Sequence, residues 1–338
     1  MNKTYAIALG LSLLISCSAI KDGKEVINGV SWVAPSKPVG IESMQHVEKV
    51  AANWVCIMPF AFSSPDEQFV RFDNSRQWWG ERSDGVKKCI NYAQKLGHKV
   101  MLKPQIWFSH GFFTGNYDAG SEKNWQEFEK NYSKYILSYA GLADSMQVDI
   151  FCIGTEMKFF ALNRPQYWRR LIQEVKEIYK GKLTYAANWD SYKFISFWDE
   201  LDYIGVDAYF PITDNPYPSN DEIEESWQNW ADEIATIQEK FKKPVIFTEY
   251  GYRSSSFALE EPWNSDYGGK TNMEIQSRAY QAMFKVMDQY EWFLGGFLWK
   301  WFSDYEEAGG ENNNRFTPQN KPVESIIKMI HINRLNER

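Results

Sequence analysis

The feature of this 338-residue chain that most restricts its fold is an eightfold alternation of short apolar runs with amphipathic segments. The runs are NGVSWVA from Asn28, NWVCIMPF from Asn53, HKVMLKPQIW from His98, VDIFCIGTE from Val148, LTYAAN from Leu183, LDYIGVDAYF from Leu201, PVIFTEY from Pro244 and GGFLWKWF from Gly295. Near-continuous apolar runs of this length mark strands buried on both faces, as in a parallel sheet covered by helices. Between them lie helical patterns such as SDGVKKCINYAQKLG, with Ser83 as N-cap and Gly97 just past the end, and DEIEESWQNWADEIATIQEKF. A last helix, VESIIKMIHINRL, follows the eighth strand. Eight β-α units predict parallel strands joined by crossovers. The count of eight predicts a closed (β/α)8 TIM barrel, an α/β fold in one domain, rather than an open doubly wound sheet.

Residues 1–17, MNKTYAIALGLSLLISC, carry an early lysine, an apolar stretch too short to span a bilayer comfortably and small residues before Cys17. This pattern marks a signal peptide. Leu14-Ile15-Ser16-Cys17 resembles a bacterial lipobox, which implies cleavage before Cys17 and lipid attachment to it. An ordinary secretory signal is the alternative. Residues 18–27, SAIKDGKEVI, then form a polar tether, and 28–338 the folded domain. The expected location is the bacterial cell envelope, lipid-anchored and facing the periplasm or the cell exterior.

Net charge is −7 with no basic cluster, so nucleic acid is not an expected partner. With Cys17 given to lipid, Cys56, Cys89 and Cys152 remain, each in an apolar pattern, and they read as buried free thiols. The four histidines are scattered without ligand spacing, so no metal is expected.

The connections are lopsided. Helix-to-strand joins are terse (KLGHKV, YKGKLT, KFKKPV), whereas strand-to-helix joins are long and aromatic, as in WFSHGFFTGNYDAGSEKN and FSDYEEAGGENNNRFTPQNKP. In a (β/α)8 barrel the long joins gather at the C-terminal face, where active sites sit. Two glutamates, Glu156 and Glu249, end the fourth and seventh predicted strands and belong to that face. Strict alternation would put Cys152, Gly154 and Glu156 on one face, Val245, Phe247 and Glu249 on one face, and Lys103, Gln105 and Trp107 together toward the wet mouth. Asp207 with Tyr209, Asn188, and Trp299 with Trp301 complete a predicted ring of polar and aromatic groups. Either glutamate alone has a structural alternative, a salt bridge to Lys103; for Lys103, Gln105 and Asn188 the alternative is hydrogen bonding at the barrel mouth. Of the 15 tryptophans, most belong to the core by default, but Trp78 and Trp79 fall in a loop, QWWGE. Flat aromatic faces rimmed by polar groups suit pyranose rings.

Two glutamates on strands four and seven, a tyrosine after strand six and a tryptophan on strand eight resemble clan A of the glycoside hydrolases. CIGTEM, MLKPQIW, IGVDAYFP, VIFTEYGYRS and GFLWKWF resemble glycoside hydrolase family 113, whose characterised members are retaining β-mannanases. The resemblance implies Glu156 as acid/base, Glu249 as nucleophile, Tyr209 bonded to the nucleophile and Trp299 flooring the reacting sugar. It also implies that no metal or organic cofactor is used. Where the clan commonly has asparagine before the acid/base this chain has Thr155, so the contact to the sugar's 2-hydroxyl is unassigned. The substrate implied is a β-linked polysaccharide, mannan or glucomannan first. Another β-linked hemicellulose is the nearest alternative, and a glycan-binding lipoprotein on a barrel scaffold is a third; two glutamates of opposed ionisation favour an enzyme.

Overall fold

The computed structural model describes residues 25–109, 111–264 and 269–337. Ten strands are present: β1 (Ile27–Trp32), β2 (Trp54–Ile57), β3 (Phe60–Ser63), β4 (Lys99–Leu102), β5 (Gln105–Phe108), β6 (Ile150–Thr155), β7 (Lys182–Asn188), β8 (Ile204–Asp207), β9 (Val245–Tyr250) and β10 (Phe293–Trp301). Eight of them close a parallel barrel in the order β1-β10-β9-β8-β7-β6-β4-β2. The principal helices are α1 (Glu42–Gln45), α2 (Ser83–Lys95), α3 (Glu122–Ser145), α4 (Lys158–Asn163), α5 (Pro165–Ile178), α6 (Asn220–Phe241), α7 (Met273–Met287) and α8 (Pro322–Glu337). The predicted barrel is therefore the observed one.

The second and third predicted strands each divide at a proline. Pro59 and Pro104 have no N–H to give the ladder, and beyond them β3 and β5 leave the barrel to pair with each other, Phe60 opposite Gln105 and Phe62 opposite Trp107. The small ribbon raises Gln105 and Trp107 above the barrel mouth.

Two apolar layers hold the fold. The larger lies between strands and helices; the smaller fills the barrel with Trp54, Cys56, Met101, Ile150, Ile246 and Phe297. Cys56, Cys89 and Cys152 are buried free thiols, as the sequence suggests.

Three expectations are corrected here. The tether ends earlier than residue 27: Val26 and Ile27 are buried, and Glu25 bonds Lys99 Nζ (3.1 Å) and Tyr203 OH (2.9 Å). Their apolar side chains fill the foot of the barrel. Ser83 is the first residue of α2, not its cap, and its hydroxyl donates to Asp73 Oδ2 at 2.7 Å. Strict alternation also fails on the two strands that carry the glutamates. Val245 and Phe247 pack outward in the strand–helix layer, Phe247 against Trp227 of α6. A register shift beside Asp207 opposes that residue to Glu249 and turns Glu249 inward. On β6 a Cβ at Gly154 would meet Trp168 and Tyr132 of the outer helices, and a register shift between Cys152 and Thr155 restores the inward direction. Such bulges re-aim side chains and concentrate beside active sites.

The predicted leader, with Cys17, lies outside the described residues. Among the described residues, no helix is long and apolar enough to cross a membrane.

Candidate active site

The barrel mouth opens into a cavity of about 1140 Å³ lined by both glutamates, with Gln105, Trp107, Asn188, Tyr209 and Trp299 on its walls. Sequence-predicted residues thus converge on one place. The two carboxyl groups nevertheless sit in opposite settings.

Glu249 is held by three donors. Lys103 Nζ lies 2.5 Å and Gln105 Nε2 3.1 Å from Oε1, and the Tyr209 hydroxyl donates to Oε2 at 2.8 Å. The Lys103 ammonium also reaches Asp207 Oδ1 at 3.1 Å, and that oxygen accepts from the Thr248 hydroxyl at 2.7 Å. Burial alone would lower the proton affinity of Lys103; Asp207 and Glu249 more than reverse this, so the ammonium stays charged. Burial, and then the charge of Glu249, push Asp207 up to about 7. Burial and the same carboxylate hold the Tyr209 phenol well above its ordinary range, so it acts as a donor. A buried ion cluster of this kind is stable only when each member is paired. Its effect here is to fix the Glu249 carboxyl group from two sides.

Glu156 accepts no hydrogen bond on its carboxyl among the described residues. Its backbone is in the left-handed region at φ 53°, anchored by its N–H on the Ala186 carbonyl at 2.8 Å. A non-glycine residue there carries about 1–3 kcal/mol of strain, a state that functional sites often hold. Burial first, then the charges of Asp207 and Glu249, raise its proton affinity well above the usual carboxylate range. The two carboxyl groups thus differ in setting, one raised in proton affinity by burial and neighbouring charge and the other held by a cation and two neutral donors, the kind of asymmetry that acid and nucleophile roles require.

The remaining expected contacts divide. Trp107 is 40% exposed, edge-on to Phe62. Asn188 Oδ1 accepts from the Trp189 backbone N–H at 2.9 Å, which turns the amide nitrogen away from that bond. Lys103 and Asp207 are fully buried beneath the cavity, so they position Glu249 instead of touching a ligand. Trp301 is also buried; a register shift sets Val30 against Leu298 but Trp32 against Trp301, and its ring turns outward toward Tyr305 at 6.1 Å. It is core, not a sugar platform. The Thr155 hydroxyl is buried without a partner among the described residues. Trp78 is 52% exposed and lies off the cavity.

Several wall residues escape sequence reasoning. Trp189 and Trp263 stack at 4.9 Å on one side of the cavity, and Phe113, Lys300, Arg315 and Phe316 line other parts. Most come from long loops, whose length marks the face but whose side-chain directions follow no period. Among the described residues no group of three or more His, Cys, Asp or Glu is placed to hold a metal ion.

The sequence model of Glycoside Hydrolase Family 113 matches residues 33–321. The fold is similar to a family 113 β-1,4-mannanase solved as a complex, at 27% identity and TM-score 0.80, covering 91% of this chain and 99% of that one. Another family 113 β-1,4-mannanase structure gives 28% identity and TM-score 0.79, with 91% and 99% covered. The β-mannanase of Alicyclobacillus acidocaldarius, in complex with ManMIm, gives 24% identity and TM-score 0.82, with 92% and 98% covered, and bears on the fold alone. No curated protein sequence matches.

Proposed function

Because the chain belongs to glycoside hydrolase family 113, we propose that it is a retaining hydrolase of β-mannosidic linkages in mannan or glucomannan, with Glu249 as nucleophile and Glu156 as acid/base. The observation that carries the assignment is the asymmetry of the two carboxyl groups, three donors on Glu249 and none on Glu156 among the described residues.

In the first step Glu249 attacks the anomeric carbon while Glu156 gives its proton to the departing glycosidic oxygen. Oε1 is occupied by Lys103 and Gln105, whereas Oε2 has the single Tyr209 donor and keeps more lone-pair capacity for attack. Forming the glycosyl ester removes the negative charge of Glu249. That charge is one of the causes of the high proton affinity of Glu156, so its loss prepares Glu156 to take a proton from water in the second step. Trp299 on the cavity wall offers an apolar face for the sugar in the reacting position.

The β-1,4-mannanases of similar fold support mannan as the substrate. Reducing-sugar release measured across mannan, glucomannan, xylan and β-glucan tests this. Mannan or glucomannan should lead; preferential release from xylan or plain β-glucan reassigns the sugar.

A lipid on Cys17 would place this mouth at the bacterial envelope surface, facing periplasm or exterior. The lipobox-like Leu14–Cys17 stretch supports that reading. Cys17→Ala should move the protein from the membrane fraction to the soluble one, and unchanged fractionation rejects the anchor.

A further inference from the structure

We propose that the Lys158–Asp190 ion pair is a positioning clasp for the acid/base, closing the turn that carries Glu156 onto the end of β7 and setting a carboxylate beside that side chain. The inference rests on the reading of Glu156 as acid/base in a β-mannoside hydrolase.

Three consecutive residues after β6 are each tied to β7 or to its continuation. The Glu156 N–H donates to the Ala186 carbonyl at 2.8 Å, the Met157 N–H to the Tyr185 hydroxyl at 3.0 Å, and Lys158 Nζ to Asp190 Oδ2 at 2.7 Å. The first of the three has left-handed backbone at φ 53°, a conformation that persists in a non-glycine residue only when its surroundings over-determine it. Asp190 in turn is fixed from its own side. Asn188 Oδ1 accepts from the Trp189 N–H at 2.9 Å, and the Asn188 carbonyl accepts from the Ser191 N–H at 2.9 Å and the Ser191 hydroxyl at 3.2 Å. The clasp thus joins a fixed turn to a strained one.

Stability alone is a poor reason for it. Lys158 and Asp190 keep 36% and 33% of their side-chain surface exposed, and ion pairs this wet add little to folding. What sets the pair apart is its direction. Asp190 lines the same cavity as Glu156, and its second oxygen, Oδ1, is buried with no donor among the described residues. Such an oxygen is costly to bury. Here it belongs to a wall shared with a carboxyl group that must carry a proton.

Charged and titratable groups reach Glu156 from every neighbouring element. Asp207 ends β8 and Glu249 lies in β9, Lys103 follows β4, the phenols of Tyr185 and Tyr209 come from β7 and from beyond β8, and Lys158 opens α4. Burial is the largest influence on the proton affinity of Glu156 and raises it; Asp207 and Glu249 raise it further, Lys103 lowers it, and Asp190 adds a last, smaller rise. The Glu249 contribution disappears when the glycosyl ester forms. Asp190 makes and breaks no bond in either step, so its contribution remains when Glu156 must take a proton from water.

The test separates charge from clasp. Asp190→Asn and Lys158→Gln keep a hydrogen bond across the pair and remove one charge each. Loss of the negative charge should move the alkaline limb of kcat/KM on mannohexaose to lower pH, and loss of the positive charge should move it to higher pH. Asp190→Ala opens the clasp, and kcat/KM on mannohexaose should fall about tenfold, a part of the about 10²- to 10⁴-fold worth of acid–base catalysis. On dinitrophenyl β-mannobioside, whose leaving group needs no proton, the fall should be much smaller, and Asp190→Asn should regain most of the loss on mannohexaose. The urea midpoint should hardly move in any of the three. Alkaline limbs that do not part in opposite directions, or an equal fall on both substrates, overturn the proposal. Titration of the Glu156 carboxyl by nuclear magnetic resonance in glutamate-labelled protein, its signal identified by its loss in Glu156→Gln, separates this from the hydrolytic reading. Opposite displacements in Asp190→Asn and Lys158→Gln without turnover of any mannoside by wild type uphold the clasp and reject the hydrolase, whereas titrations that do not part in this way reject the clasp whatever the turnover.

Discussion

Both ends of the barrel bury ionisable groups, but the mouth directs them at a cavity and the floor directs them at the backbone. At the floor, Arg334 of α8 donates to the Ile27 carbonyl (3.2 Å), Asn28 Oδ1 (2.6 Å), the Leu294 carbonyl (3.1 Å) and Asp288 Oδ1 (2.9 Å). His331 Nδ1 lies 2.6 Å from the Val50 carbonyl, and Asn28 Nδ2 donates to the His331 carbonyl at 2.9 Å. These groups tie the last helix to the first and last strands. At the mouth, Lys103, Asp207 and Thr248 are equally buried, yet the chain of bonds they make ends on a carboxylate that lines open space. Burial and perturbed proton affinity are therefore common to both ends. What distinguishes a site is that the last member of the network has a face left for something else.

That contrast is broken most severely at the mouth. Glu249→Ala should leave the fold intact and lower kcat/KM by about 10⁴-fold or more, since a nucleophile lost from a group acting as a unit removes nearly all turnover. Azide entering the vacated space should then give a glycosyl azide of inverted configuration. Next in size, Glu156→Ala should cost about 10²- to 10⁴-fold on polysaccharide, the usual worth of general acid–base catalysis. It should keep its first step on aryl mannosides whose leaving group needs no proton, with azide giving a retained product. In wild type the alkaline limb of the pH–rate profile should follow Glu156, whose raised proton affinity would extend activity above the ordinary carboxylate range. That limb should disappear in Glu156→Ala. Azide products with configurations exchanged between the two variants would reverse the roles.

A smaller loss is expected from Tyr209→Phe, which removes the single donor on Glu249 Oε2. A hydrogen bond to a charged group is worth about 1.5–3 kcal/mol, so kcat should fall about ten- to a hundredfold with little change in unfolding midpoint. An unchanged kcat would mean that Oε2 is not the attacking oxygen and that the Tyr209 bond is structural.

The mouth was more legible in the sequence than its geometry. Repeated apolar runs and lopsided joins were enough for the barrel and for the face that carries Glu156 and Glu249. A strand period of two then misdirected Gly154, Val245, Phe247 and Trp301, because it assumes an unbroken ladder and these strands shift register near their ends. Alternation sets Glu249 on the face of Phe247, yet Phe247 faces the helices and the register shift turns Glu249 to the barrel interior. Alternation brings Lys103 and Asp207 near the glutamates, but depth has no sequence signal, and only the fold shows that both lie beneath the cavity. Lys300 and Arg315 follow neither a motif nor a period. The floor was still less visible, since Asn28, His331 and Arg334 are distant in sequence and meet only when the barrel closes.

At the floor the expected losses are of stability alone. Arg334→Met leaves Asn28 Oδ1, two backbone carbonyls and Asp288 without this donor, and breaking a buried charge cluster from one side costs about 3–5 kcal/mol. The urea midpoint should drop while kcat/KM at 25 °C stays within about twofold, since the mouth network is not touched. A comparable loss in kcat/KM under folding conditions would show that the floor shapes the mouth.

The smallest effect comes from His331 and depends on pH. Burial first, and then the neighbouring Arg334 charge, lower its proton affinity to about 3, against the Val50 carbonyl, which acts the other way. In the unfolded chain an ordinary histidine titrates near about 6.5. Between these values the unfolded state binds the proton that the folded state refuses. The stabilising contribution of a neutral His331 is therefore fully present above pH about 6.5 and is lost as pH falls toward about 3, at no more than about 1.4 kcal/mol per pH unit. His331→Asn removes the titrating ring, so the fall in unfolding midpoint between pH 7 and pH 4.5 should be shallower than in wild type, even if the variant starts lower. The acid limb of kcat/KM, governed at the mouth, should not move. Parallel pH–stability curves for the two proteins would mean that His331 is not the group titrating, and a displaced acid limb would mean that the two ends are coupled through the barrel interior.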